Sequence, residues 1–251
     1  KINDGSVIPP FRQRILVPLL VSALPFPVPW GFAVVSSTML GVTFAATYRL
    51  LKRWFSGRVV WIGLALLAAC GLVNAILVTP LYVDAAVLMV AAVVFVCLNE
   101  DRWTPLLLIV PLGVAAHELT LLLLIPIAIT AWRRKKLPDA AVTGVLGIGV
   151  WWLLHRSGWV VNVNNRSNLF TATHREEMIR WNAVKYGTVM GAVWAHVIGS
   201  YGVAWLLAPF GWKRANTLLK DGAWMLPACT VLCLNGSDWG RMFLVTMPVV
   251  V

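Results

Sequence analysis

The chain has 251 residues, of which 59% are hydrophobic and 12% are charged, and its mean hydropathy is +0.79. A soluble domain of this length could not cover so many apolar side chains, so the composition predicts an integral membrane protein. The net charge of +11 predicts anionic membrane lipids as a partner. It does not predict nucleic acid, because no basic stripe interleaved with aromatic residues marks a soluble binding surface.

The first part of the chain, residues 1–30, is predicted to be an outward-facing interfacial segment. The stretch 11–24 is short for a membrane span and basic at its start, with Arg12 and Arg14. These two side chains would lie at the level of the lipid headgroups. A group of prolines should end the helix abruptly, because proline cannot continue the helical hydrogen bonds. They are Pro25, Pro27 and Pro29.

Apolar runs that are long enough for membrane helices follow along the rest of the chain. Several have about 12–15 residues and would span only ~20 Å as helices, so we expect tilted, truncated or half-spanning elements. A long polar connection, residues 161–184, is predicted to face outward as a loop. The runs lie at residues 31–51, 59–79, 85–98, 139–155, 186–209, 222–234 and 240–251, with a split pair across 104–132.

These runs predict an all-α fold: a polytopic bundle of transmembrane helices with short or re-entrant members. The whole chain, 1–251, is predicted to form a single transmembrane domain. The sequence opens at Lys1 without an initiator methionine and stops inside the apolar run 247–251. We therefore expect it to be an internal stretch of a longer protein.

Basic residues at the ends of the apolar runs predict the orientation. The positive-inside rule places such clusters on the cytoplasmic side of the membrane, and the remaining loops then face outward. The clusters are Arg49, Lys52, Arg53 and Arg58; Arg102; Arg133, Arg134, Lys135 and Lys136; and Lys213, Arg214 and Lys220.

The stretch 104–132 decides the topology. A single unbroken helix would carry Arg102 and the cluster 133–136 to opposite sides, against the positive-inside rule. A break at 116–118 keeps both clusters on one side and places His117 and Glu118 at a distant turn, within reach of Asp84 or Asp238. Non-helical backbone at membrane depth is tolerated where it lines protein or a wet cavity. We therefore predict two short helices joined by a turn at a polar cavity.

On this topology the outward side gathers ionisable residues that are costly at membrane depth unless they are paired or wetted. Carboxylates serve as general bases, and arginines bind phosphate oxygens with two parallel hydrogen bonds. The combination is typical of transfer from a phosphate-linked lipid donor. The candidate residues are Asp4, Arg12, Arg14, Asp84, His117, Glu118, Asp238 and Arg241.

Each candidate also has a structural alternative. Asp84 could simply cap a helix that begins at Ala85. His117 and Glu118 could form a structural polar turn, and they do not begin a zinc-protease motif. Asp238 and Arg241, which are three residues apart, could form a local salt bridge.

The cysteines do not predict a metal or redox site. Cys229 and Cys233 are one helical turn apart, but no histidine or carboxylate accompanies them in the sequence. A thiol inside an apolar segment behaves as a small hydrophobic group, so we predict that the cysteines pack in the interior.

Four short strings spread over most of the chain carry a resemblance. They are 7–20 (VIPPFRQRILVPLL), 82–84 (YVD), 113–126 (GVAAHELTLLLLIP) and 237–241 (SDWGR). Together they resemble a group of bacterial polytopic membrane proteins similar to the GT-C glycosyltransferase superfamily. In that group the third string usually reads Arg-Glu where this chain has His117-Glu118.

The resemblance implies a membrane glycosyltransferase of the bacterial inner membrane that uses a polyprenyl-phosphate sugar, with an acidic base in the first outward loop. Asp4 is the acid in that loop, and Asp84 is the other candidate base. Glu118 would be an orienting or metal-side carboxylate. The residues expected to bind the phosphate or other parts of the substrate are Arg12, Arg14, His117, Asp238 and Arg241.

A hypothesis of a different class is a non-catalytic accessory subunit within a larger membrane complex. Half-length helices and abundant tryptophan favour it, because a neighbouring chain would complete the burial of short helices. A transporter is a third reading, but matching interrupted segments in two halves of the sequence are not evident.

Overall fold

The computed structural model describes residues 15–78, 83–156, 216–233 and 244–250, with single positions and short pieces between 180 and 208. All regular structure in these residues is helical, which confirms the all-α class. The α-helices of four or more residues are α1 Leu16–Ser22, α2 Val28–Trp54, α3 Gly57–Ala69, α4 Gly71–Val78, α5 Asp84–Asn99, α6 Leu106–Ala116, α7 Leu124–Arg134, α8 Leu137–Arg156, α9 Thr217–Gly222, α10 Met225–Cys233 and α11 Met247–Val250. Two 3-10 helices accompany them, Glu118–Leu123 and Leu244–Thr246.

Two of the described helices are long and apolar enough to cross a membrane. They are α2, with a mean hydropathy of 1.4, and the stretch Leu137–Leu154 of α8, with 1.5. Helices α3, α5 and α6 are also apolar but have between 10 and 17 residues. The structure therefore contains the predicted mixture of long and short apolar helices.

The prolines near the start separate α1 from α2. Helix α1 ends at Ser22, and Pro27 is the N-cap of α2 with extended backbone angles. Pro29 lies in the first turn of α2, where a missing N–H costs nothing because that group has no helical partner. Gly31 in the same turn lies against Val21 of α1, so the two helices pack closely there.

The apolar run 59–79, which could have formed one long helix, forms two. Cys70 has extended backbone angles between α3 and α4. The Asn74 amide donates to the carbonyl oxygens of Ala69 and Cys70, at 3.4 and 3.3 Å. These bonds give partners to carbonyls near the break, and the flexible Gly71 begins the second helix.

Helix α5 lies at the centre of the bundle. Most of its side chains are buried, including Phe95 and Leu98, and α2 packs along it. Helices α6 and α11 and both 3-10 helices also contact α5. The buried cysteines Cys70, Cys97 and Cys229 pack within this core, as predicted.

Ion pairs join the carboxyl ends of α2 and α5. Glu100, just after α5, receives Nε and Nη2 of Arg49 near the end of α2, the second bond at 2.8 Å. Arg102 Nε lies 3.2 Å from the same carboxylate. Because the two helices end together, they run parallel.

The end of α7 reaches the same place. Arg134 Nη1 donates to the Leu98 carbonyl oxygen at 2.7 Å and to Asp101 Oδ1 at 3.2 Å. Arg133 Nη2 lies 2.9 Å from Asp221 Oδ1, which brings α9 to this end. The basic residues around 49, 102, 133 and 220 therefore share one end of the bundle, as predicted. We call this end the basic face; Lys213 and Arg214 lie outside the described residues.

Two carboxylates of the basic face, those of Asp101 and Asp221, have shifted pKa values. Hydrogen bonds from the Trp103 indole N–H and, to a smaller extent, from Arg134 lower the pKa of the Asp101 carboxyl. Burial raises the pKa of Asp221, although Arg133 opposes this shift. Because this pKa is lowered in the folded state, Asp101 stabilises the fold at pH values above its unfolded-state pKa. This stabilisation is lost as the pH falls through the folded-state pKa.

The predicted break in 104–132 is confirmed. Helix α6 starts near the basic face, ends at Ala116, and is followed by the extended residue His117. The chain then continues through the 3-10 helix Glu118–Leu123 into α7, which returns to the basic face. His117 approaches Asp84 at the start of α5, whereas the basic face lies at the end of α5. The turn and the basic face are therefore separated by the length of this helix, roughly 24 Å.

We expect Gly113→Ala to destabilise the fold. A Cβ at Gly113 would lie 2.8 Å from Val90 Cγ1 of α5 and 3.2 Å from Thr120 Cγ2, so α6 would have to move away. The cost should be about 1–3 kcal/mol, although alanine gains some helix propensity. Thermal unfolding of the detergent-solubilised protein measures it.

The matched control is Gly149→Ala in α8, where a new Cβ meets nothing within 4 Å. This variant should be as stable as the parent or slightly more stable. Equal effects of the two substitutions would contradict the close packing of α6 on α5.

Candidate functional site

Asp84 is a buried carboxylate at the first position of α5. It is 4% exposed, and the N-cap residue of the helix is Val83, so Asp84 is not the N-cap that the alternative reading required. A negative charge in the first turn interacts favourably with the helix dipole. A buried carboxylate surrounded by apolar helices still needs further polar neighbours.

The His117 side chain lies beside Asp84 at this end of the bundle. Its Nε2 lies 3.9 Å from Asp84 Oδ1, and the residue is 2% exposed. This distance is too long for a direct hydrogen bond but fits a charge interaction or a bridging water. The predicted approach of His117 to Asp84 is therefore confirmed.

The other nitrogen of His117 holds the turn. The backbone N–H of Leu119 donates to Nδ1 at 3.2 Å, so His117 acts as the N-cap of the 3-10 helix. A nitrogen that accepts a hydrogen bond carries no hydrogen in the neutral imidazole, and the proton then belongs on Nε2. His117 thus presents an N–H toward Asp84.

Two further contacts fix the His117 backbone. Its N–H donates to the Gly113 carbonyl oxygen at 2.7 Å, and its carbonyl oxygen accepts from the Thr120 hydroxyl at 2.7 Å. Gly113 contacts α5 directly through Val90. The imidazole is therefore positioned by both α6 and the 3-10 helix.

Glu118 extends the cluster toward the surface. Its Oε2 lies 3.5 Å from His117 Nδ1, and its side chain is 32% exposed, against 6% for Asp84. Asp84, His117 and Glu118 therefore form a line of titratable groups from the interior to the exposed surface. Within the described part of the chain, no group of three or more His, Cys, Asp or Glu side chains is arranged to hold a metal ion.

The structure describes three of the predicted site residues, and it brings all three together. They are Asp84, His117 and Glu118. The 3-10 helix Leu244–Thr246, which follows the SDWGR string in the chain, packs against the 3-10 helix Glu118–Leu123. The candidates Asp4, Arg12, Arg14, Asp238 and Arg241, and most of the loop 161–184, lie outside the described residues.

Two positioning residues were not predicted as site residues, namely Gly113 and Thr120. Gly113 precedes His117 by four residues, which is the spacing of a helical hydrogen bond. Thr120 follows it by three, the spacing of a capping interaction. Both spacings can be read from the sequence, but they indicate positioning residues only once His117 is known to be the cap.

Comparisons with protein-family models, with curated proteins and with solved structures found no match.

A pair of His117 variants should separate the two roles of the imidazole. In His117→Asn, the side-chain oxygen can replace Nδ1 as the cap, so the free energy of unfolding should change little. In His117→Gln, the amide can still donate toward Asp84, but the cap is lost at a cost of about 0.5–2 kcal/mol. Thermal unfolding of both proteins tests this order, and a greater loss of stability in His117→Asn would contradict the assigned cap.

Proposed function

We propose that this chain is a polytopic GT-C-like glycosyltransferase that moves a sugar from a polyprenyl-phosphate donor on the non-cytoplasmic face of a bacterial inner membrane. The observation that carries the proposal is the buried Asp84–His117 pair at a helix break, on the end opposite the basic face. The resemblance of the short strings supplies the donor class.

Low burial of the long apolar helices supports the membrane placement. A core helix of a soluble protein with this hydropathy would be mostly buried, yet 33% of the apolar window of α2 and 11% of that of α8 are buried. Val145, Ile148 and Leu153 of α8 are between 53% and 70% exposed. A continuous apolar surface of this kind is stable in lipid and costly in water.

The positions of the charges support the orientation. The described basic clusters meet at one end of α5, and the positive-inside rule makes that end cytoplasmic. Asp84 at the start of α5 and His117 in the re-entrant segment α6 to α7 then lie toward the other side. Irregular backbone at depth favours a wet cavity beside it, which a polar substrate requires.

The chemistry assigned to this site is a single displacement. The hydroxyl of the acceptor loses its proton to the base carboxylate, and its oxygen attacks the anomeric carbon of the donor. The bond from that carbon to the phosphate oxygen breaks, and polyprenyl phosphate leaves with the electron pair. A base positioned in this way contributes about 10²–10⁴-fold to the rate.

We assign the base to Asp84, which lies beside the buried His117; Asp4 lies outside the described residues. His117 Nε2 lies 3.9 Å from the Asp84 carboxylate, close enough to orient it through a bridging water. Glu118 is the orienting carboxylate at the exposed end of the cluster. The phosphate contacts are assigned to Arg12, Arg14 and Arg241, and further substrate contacts to His117 and Asp238.

We expect Asp84→Asn to lower transfer about 10²–10⁴-fold, because the amide cannot accept the proton. The assay supplies the purified protein with polyprenyl-phosphate hexoses and pentoses and measures release of free polyprenyl phosphate. The matched control is Asp139→Asn in the first turn of α8, a carboxylate at the basic face.

Full activity of Asp84→Asn would remove Asp84 as the base, and Asp4→Asn would then be tested in the same assay. Equal losses in the Asp84 and Asp139 variants would point to a general effect on folding. Absence of release by the parent protein with all these donors would contradict the transferase proposal.

The orientation has its own test. Single cysteines replacing Arg102 and Lys136 should react with a membrane-impermeant maleimide from the cytoplasmic side, whereas Glu118→Cys should react from the other side, because the positive-inside rule separates them. Right-side-out and inside-out vesicles allow both measurements. Labelling of the Arg102 and Lys136 positions from opposite sides would contradict the re-entrant segment.

The second candidate is an accessory subunit of a membrane complex, and helices α3 and α4 favour it. Their 13 and 8 residues give lengths of only about 20 and 12 Å. Trp61, Ile62, Leu77 and Val78 on them are between 58% and 82% exposed. Blue-native electrophoresis of mildly solubilised membranes separates the two: a stable larger complex with no transfer by the parent protein would favour the subunit.

A further inference from the structure

We propose that the basic face is a binding surface for the phosphate headgroups of anionic phospholipids. This inference depends on the membrane placement proposed above, but not on the transfer reaction. It assigns a partner to a face that takes no part in the chemistry at Asp84.

Positively charged residues converge at the basic face. The ends of α2, α5 and α7, the starts of α3 and α8, and α9 bring ten described Lys and Arg residues against four carboxylates, a net charge of +6. The basic residues are Arg49, Lys52, Arg53, Arg58, Arg102, Arg133, Arg134, Lys135, Lys136 and Lys220; the acidic ones are Glu100, Asp101, Asp139 and Asp221. Among the described residues where α5 begins and α6 and α8 end, the charged ones are Asp84, Glu118 and Arg156.

Three carboxylates of the basic face form ion pairs with arginines of the same face. Glu100, Asp101 and Asp221 are engaged by Arg49, Arg102, Arg134 and Arg133. These pairs fasten the helix ends to one another. In the same described residues, Arg53, Arg58, Lys135 and Lys136 form no ion pair with a carboxylate, and all four are exposed.

These four basic side chains lie near exposed tryptophans and at the ends of apolar helices. Trp132, 73% exposed, and Trp224, 63% exposed, lie beside the basic residues, and tryptophan prefers the headgroup level of a membrane. Lys135 adopts a left-handed conformation, with φ of 57°, directly after α7. Lys135 and Lys136 thus follow the turn that ends one apolar helix and precede Leu137, which begins the next. Flexible ammonium groups at this level suit phosphodiester headgroups.

The experiment measures lipid binding to the purified, delipidated protein in neutral detergent by native mass spectrometry. The probes are phosphatidylglycerol and phosphatidylcholine of equal chain length, with glycerol 3-phosphate as a soluble competitor. Variants are Arg53→Gln/Arg58→Gln and Lys135→Gln/Lys136→Gln. The control is Arg156→Gln at the far end of α8, which stacks on Trp152.

We expect phosphatidylglycerol to bind more tightly than phosphatidylcholine, and less tightly as the salt concentration rises. Each neutralised side chain should weaken binding about fivefold, so each double variant should lose up to about 25-fold. Arg156→Gln should bind as the parent does. Thermal unfolding of the double variants should match the parent, because the ion pairs between helix ends are retained.

Equal binding of the two lipids, or an equal loss in Arg156→Gln, would overturn the proposal. Displacement of the lipid by millimolar glycerol 3-phosphate would show a site for free phosphate compounds and overturn the lipid assignment. The Asp84→Asn variant separates this inference from the transfer reaction, because it should lose release of polyprenyl phosphate and keep binding of phosphatidylglycerol.

Discussion

The burial of α5 is the constraint on which the other features depend. Its side chains from Asp84 to Leu98 are almost all covered by neighbouring helices, so charged groups can meet it only at its two ends. At the carboxyl end, Arg134 binds the Leu98 carbonyl oxygen and Glu100 and Asp101 bind arginines from two other helices. At the amino end, the partner of Asp84 must come from another segment, and the break in α6 to α7 supplies it.

The break itself is stabilised by the residues that make the site. An interrupted helix leaves backbone groups without helical partners, and an apolar environment makes each of them costly. His117 accepts the Leu119 N–H through its side chain and the Thr120 hydroxyl through its carbonyl oxygen. One residue therefore ends α6, starts the 3-10 helix and faces Asp84, so the local structure and the site cannot be varied independently.

Charge positions in the sequence predicted the basic face and the turn at His117, because both follow from keeping like clusters on one side of a membrane. The sequence did not predict the break at Cys70, since the run 59–79 is apolar throughout apart from Asn74, whose amide satisfies the carbonyls there. It also did not identify Glu100, Asp101 and Asp221 as the counterions of particular arginines. Those pairs depend on helix packing, which hydropathy and spacing do not describe.

The choice of histidine at 117 has a physical consequence. An arginine, usual at this place in the strings that this chain resembles, has donors only and could not accept the Leu119 N–H as a cap. The imidazole can accept at Nδ1 and donate at Nε2, so it serves the 3-10 helix and Asp84 at once. It does so with less reach and less fixed charge than a guanidinium. The position is therefore suited to orienting a carboxylate inside the bundle.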